Sequence, residues 1–206
     1  MNPYGYTKPE IKLFQKLNSP SRIQDFVNTL KFNFSNEYFY RSPREVLKKG
    51  KADCVEGAFF AATALEFHGH KPLVFDLRCA EDAGDYDHVL AVFKQFDCFG
   101  AISKTNHGVL RYREPVYKTI RELAMSFFHE YFLDTGKKTL REYSDLFDLS
   151  KFNSMNWRTT SSNLSLIVEH LDTVKHHKIL SQQQIKNLRK ADPVEIEAGN
   201  VVQYKK

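Results

Sequence analysis

Two side chains in this 206-residue sequence have the types and surroundings that nucleophilic chemistry needs. Cys54 stands at the front of "DCVEGAFFAATALEF", residues 53–67, a run with the length and composition of a helix. Asp53 is a good N-cap for it, and Gly69 with Pro72 supply an ending. A thiol in the first turn of a helix feels the positive end of the macrodipole and the free N–H groups. Both favour thiolate and lower its pKa below the free value of about 8.5. Asp53 and Glu56, as negative neighbours, work the other way. His88 opens a second apolar segment, "HVLAVFK", 34 residues on (88 − 54), after one strand and an acidic loop. An imidazole at the start of a strand beneath the helix can take the proton from the thiol and later return it to a leaving group. The competing reading is structural. Free Cys is among the most buried residue types, an Ala-rich helix is a natural place for one, and a lone His at a strand start is ordinarily surface or satisfied core.

The elements that must position this pair follow from turn and cap signals. "SPREVLKKG" reads as a short helix, with Ser42 as N-cap, Pro43 at the first helical position, Glu45 at N3 and Gly50 as the stop. Ser21 and Gln24 have capping-box spacing and predict a helix over about 22–32. "PLVFDLRC" and "HVLAVFK" predict strands around the loop "AEDAGDYD", and the turn "QFDCFG" predicts a third strand, "AISKT". From Pro115, apolar residues at Val116, Ile120, Leu123, Phe127, Phe128 and Tyr131 predict an amphipathic helix against that sheet. "SSNLSLIVEHLDTVKHH" and "SQQQIKNLRKA" predict helices. Within the cysteine helix, Cys54, Ala58, Ala61 and Leu65 share a face. Gly57 beside them costs about 1 kcal/mol relative to Ala, which makes sense if something must approach closely.

The chain as a whole is long enough for one core plus an appendage. Its 42% hydrophobic and 27% charged residues fit a globular protein, and 17 Phe with 10 Tyr argue against disorder. The N-terminus shows no basic-then-apolar segment and no apolar run approaches the ~20 residues that span a bilayer, so the expectation is a cytoplasmic protein with no membrane partner. Cys54, Cys79 and Cys98 are odd in number and lack CxxC spacing, which predicts free thiols. The net charge of +5 divides unevenly: residues 151–206 hold 9 Lys and Arg against 5 Asp and Glu, leaving 21 against 20 before them. This predicts a domain over 1–150 and a basic helical C-terminal extension over 151–206.

In its order of features the stretch from about Ser42 to Asn106 resembles the transglutaminase-like superfamily. This papain-like cysteine-enzyme fold includes transglutaminases, bacterial transglutaminase-like peptidases and, more distantly, arylamine N-acetyltransferases. A Ser-Pro-capped helix, the cysteine helix of "GKADCVEGAFFAATALEFHGHKPLVF" and the histidine strand of "DHVLAVF" carry the resemblance. It implies an α+β core, with the Cys helix packed on an antiparallel sheet. It further implies Cys54 as nucleophile, His88 as general base and acid, and amide substrates, peptide or isopeptide, with no cofactor. The family's next strand carries an aromatic residue and then an Asp that orients the His. Here Phe99 falls at the aromatic position and Ser103 at the Asp position, 15 residues after His88 (103 − 88). Ser103 can accept from the imidazole, and Asn106 can serve as the Asn does in the papain branch if the hairpin register turns it towards His88.

Other readings remain open on sequence. Cys54, His88 and His107 could meet around zinc with Asp53 or Glu56, although no zinc-specific spacing is present. "HGH" at 68–70 suits a helix end, and "LRYREPVYKTIREL" suits a solvated helix face more than a phosphate site. A catalytically inactive binding module of the same fold is the alternative that Ser103 in the Asp position supports. A nucleic-acid-binding protein is the third, and the weak +4 excess of the C-terminal part disfavours it.

Overall fold

The computed structural model describes residues 4–35 and 37–205. Met1–Pro3, part of the stretch read for a leader segment, lie outside them. Helices α1 (Lys8–Lys16), α2 (Pro20–Thr29) and α3 (Pro43–Lys49) lead to α4 (Cys54–Phe67), with the two-residue strands β1 (Lys31–Phe32) and β2 (Lys51–Ala52) pairing parallel just ahead of it. An antiparallel sheet then forms from β3 (Leu73–Cys79), β4 (His88–Gln95), β5 (Cys98–Ile102), β6 (Arg113–Tyr117), β7 (Leu140–Ser144), β8 (Phe147–Asp148) and β9 (His176–Lys178). Its order is β6-β5-β4-β3-β7-β9, with β8 beside β7 on the same edge of β3. The architecture is α+β: helices on an antiparallel sheet. No helix among the described residues is long and apolar enough to cross a membrane.

Alternation along the strands divides the core in two. Val74, Val89, Ala91, Phe93 and Ile102 face α4, whose Phe59, Phe60, Ala61 and Ala62 have no solvent exposure. Phe75, Leu77, Leu90, Val92 and Ala101 face the other way, onto Leu123, Ala124 and Phe127 of α5 (Ile120–Phe128). Helix α4 is therefore apolar all round, as a helix enclosed by α2, α3 and the sheet must be.

Several elements differ from their sequence expectations. Helix α2 starts earlier than 22, at Pro20, because Ser19 rather than Ser21 is the cap, accepting from the Arg22 N–H. Gln24 then faces inward instead of capping. Pro115 opens no helix. It sits in β6, an edge strand, where a missing N–H costs no ladder bond. Helix α5 begins after a Thr119–Glu122 capping box, and Val116 is exposed.

Residues 151–206 are not a separate helical appendage. His176 and His177, expected within a helix, instead pair with β7 together with Lys178 as the outer strand β9. Trp157, Leu164 and Ile167 are fully buried in the α4-side core. A 3-10 stretch (Leu149–Met155) leads into this segment, which carries α6 (Ser165–Asp172), α7 (Gln182–Lys186) and α8 (Pro193–Gly199), after which Val202 bridges His107.

Candidate active site

Asp53 caps α4 with a full capping box. Its carboxylate accepts from Glu56 N–H at 2.8 Å, and the Glu56 carboxylate accepts from Asp53 N–H at 3.1 Å. The box fixes Cys54 at the first helical position, where its own N–H has no intrahelical acceptor and can donate to a developing oxyanion. Glu56 is fully buried, taking two further hydrogen bonds from Arg41, at its backbone N–H and its guanidinium, and one from Asn33 Nδ2.

Cys54 packs against the α4-side core, where α4 lies on β4, and the backbone N–H of Val89 on that strand works to lower the thiol pKa. His88 pairs with Leu77 across the strands, which puts its side chain on the α5 face of the sheet, whereas Cys54 packs on the α4 face, so the strand does not present the imidazole to the thiol from beneath the helix as the sequence suggested. Among the described residues no hydrogen bond joins the thiol to the imidazole. His88 Nε2 lies 2.9 Å from Ser103 Oγ, and Ser103 O–H donates to the Leu110 carbonyl at 2.5 Å. With its one proton committed to Leu110, the Ser103 oxygen must accept from His88. This assigns the neutral ring as the Nε2–H tautomer and leaves Nδ1 as the acceptor.

Charge at the site is suppressed. Burial pushes the Cys54 thiol up to about 12, with the Asp53 carboxylate and then Asp76 adding to the rise against the Val89 N–H. Burial likewise pulls His88 down to about 4, with His107 and Arg113 contributing. The pair is thus thiol and neutral imidazole at neutral pH, not the thiolate that the helix terminus alone suggests. The local negative charge and desolvation outweigh the macrodipole.

Ser103 lies just past β5, beside His88. Asn106 does not turn to His88: its side-chain amide is spent on the backbone of Tyr204, donating to the carbonyl and accepting from the N–H at 2.9 Å each. His107 Nδ1 meets the Gly199 carbonyl at 3.0 Å. Among the described residues no group of three or more His, Cys, Asp and Glu is arranged to hold a metal, so Cys54, His88 and His107 do not converge with Asp53 or Glu56 as zinc ligands. Gly57 is explained by Lys104, whose Cβ stands 2.3 Å from where a Gly57 Cβ would be. Lys104 is buried, its ammonium donating to the Leu30 carbonyl at 2.5 Å under the Tyr204 ring, and burial pulls it down to about 8.

No protein-family model matches the chain, and no curated protein matches it significantly.

Sequence reasoning did not find Leu110, whose carbonyl fixes the direction of Ser103, nor Asp76, a buried β3 carboxylate hydrogen-bonded to His176 Nε2 at 3.1 Å. Asp76 had a signal, as the one charged residue between the apolar Val74, Phe75 and Leu77. Leu110 had none, because its contribution is a backbone oxygen.

A pH prediction follows from the caps. Burial and then the Glu56 carboxylate push Asp53 up to about 7 from an ordinary 3.8. A carboxyl raised in the folded state contributes stability below its unfolded value that is lost as pH rises through about 7. His88, depressed from 6.5 to about 4, contributes stability above 6.5 that is lost as pH falls towards 4. The two slopes oppose one another over pH 4–6.5. Asn caps helices as well as Asp, so Asp53→Asn should gain on wild type steadily between about pH 4 and 7 in urea titrations and should expose the acid lability of His88. A stability difference that does not vary with pH in that window would refute the assignment.

Proposed function

We propose that the protein is a cysteine acyl-transfer enzyme of the transglutaminase-like kind, acting on amide bonds in peptides or isopeptides through Cys54 and His88. The observation that carries the reading is the hydrogen bond of His88 Nε2 to Ser103 Oγ at the start of β4, the strand on which the helix headed by Cys54 packs. A cysteine at the front of a buried helix, a histidine at the start of a central antiparallel strand and a hydrogen-bonding side chain past the next strand occur here in the order that the resemblance implies.

In this reading His88 Nδ1 takes the thiol proton as Cys54 Sγ bonds to the substrate carbonyl carbon. The Cys54 N–H and its neighbour in the first turn hold the oxyanion, and the imidazolium donates the proton to the departing amine as the C–N bond breaks. Water or an acceptor amine, deprotonated by the same Nδ1, then attacks the thioester and frees Cys54. Ser103 carries no charge, so it orients the ring without stabilising imidazolium as a carboxylate would. The proton must therefore move in step with the attack.

A second reading, an inactive binding module of the same fold, is favoured by the neutral state of both groups and the lack of a direct bond between them. Acylation by a p-nitrophenyl ester of a short acyl group separates the two. The enzyme reading expects a burst of nitrophenol stoichiometric with protein, absent in Cys54→Ala and about 10²–10⁴-fold slower in His88→Ala. No burst, or one indifferent to His88, would leave the binding module as the function.

A further inference from the structure

We propose that Gln24, on α2, is a positioning residue that holds the His88 imidazole in its Nε2–H tautomer by fixing the backbone of Ser103. The inference rests on the Cys54–His88 reading for its catalytic meaning but not for its geometry.

The β4–β5 ladder ends at the pair Ala91–Ile102, so Ser103 has no strand partner. Gln24 takes the place of one. Its Oε1 accepts from Ser103 N–H at 2.9 Å and its Nε2 donates to the Ser103 carbonyl at 2.8 Å, the two-bond pattern of a neighbouring strand supplied by one side-chain amide. The second Nε2 proton goes to Asn28 Oδ1 at 2.8 Å. Every donor of the amide and its oxygen are thus used, and a flipped amide would set NH2 against the Ser103 N–H. Gln24 is only 5% exposed, on a helix face otherwise given to Ile23 and Val27. An amide buried there costs desolvation that these bonds must offset.

The demand on Ser103 explains that investment. Its hydroxyl has to donate to Leu110 and accept from His88 at once, and both lines hold only for a narrow range of backbone orientation. If Ser103 turns, its hydroxyl loses Leu110 and can donate to His88 instead. The ring proton then moves to Nδ1, and Nδ1 is lost as an acceptor. Gln24 therefore acts at a distance on the availability of Nδ1 as a base.

The test is the tautomer of His88 read from its ring 15N shifts at pH 7.5, in wild type and in Gln24→Met, with Val27→Ala on the same helix as a control for general destabilisation. Wild type should show a protonated Nε2 and a pyridine-like Nδ1. Gln24→Met should show a mixture or a switch, Ser103→Ala should do the same, and the double variant should add nothing. Val27→Ala should keep the wild-type pattern. Unchanged shifts in Gln24→Met, or an equal change in Val27→Ala, would overturn the proposal. Should Gln24→Met fail to fold, Gln24→Asn, one methylene too short to make both bonds, is read in the same way. Nitrophenyl ester acylation is measured alongside. A tautomer shift in a protein that shows no burst would preserve the Gln24 linkage and remove only its catalytic meaning.

Discussion

Glu56→Ala should destabilise the protein by about 3–5 kcal/mol, the range for removing one partner of a buried ion pair. The carboxylate has no exposure and accepts four hydrogen bonds, two of them from Arg41. Its loss strands the Asp53 and Arg41 N–H groups, the Asn33 amide and a guanidinium whose side chain is only 14% exposed. Glu56→Gln keeps the shape and one acceptor oxygen, and should cost clearly less. Urea unfolding with an unchanged denaturant slope gives the number. A loss below about 1 kcal/mol would mean that water replaces the carboxylate and that the first turn of α4 is held by Asp53 alone.

Arg158→Met should cost a similar amount, about 3–5 kcal/mol, at the opposite end of the same helix. Arg158 is 2% exposed and grips Glu66 bidentately, at 2.5 and 2.6 Å, with a third bond to Asn153 at 2.8 Å. Its guanidinium lies 3.9 Å from the Tyr4 ring centroid and 4.2 Å from that of Trp157. The substitution strips the Glu66 carboxylate of both guanidinium bonds and leaves it the Tyr4 O–H. Changing both partners, Arg158→Met with Glu66→Leu, should recover much of the loss, since an apolar pair of similar volume leaves no uncompensated charge. If the double variant is as unstable as the single one, the aromatic stacking and the Asn153 contact carry the stability instead of the ion pair.

The parts of this architecture written in local signals were legible. Asp53 marks the start of α4, Ser42, Pro43 and Gly50 bound α3, and the apolar runs of β3 and β4 are unambiguous. Pro115 misled because the same residue suits a first helical turn and an edge strand, and only the sheet order decides between them. Strand β9 was invisible because three residues carry no periodicity. At the site, the position of Ser103 could be counted along the chain, whereas the direction of Asn106 could not, being set by Tyr204, 98 positions away. Gln24 was misread as a cap for a related reason: its partner lies 79 positions on. The low acidity of Cys54 was only half legible: the sequence displays Asp53 working against the helix terminus, but not the burial that is the largest cause, nor Asp76.

The way residues beyond 150 finish the core has a kinetic consequence. Trp157 packs edge-to-face on Phe59, Arg158 reaches Glu66 across 92 positions, His176 reaches Asp76 across 100, and Gln203 donates to the Asn28 carbonyl across 175. Such closures cost little extra at equilibrium, because loop entropy grows only logarithmically with length, but they slow the search for the native state. Folding should accordingly be slow. During synthesis the helix that bears Cys54 would stay incompletely covered until the last quarter of these residues has emerged.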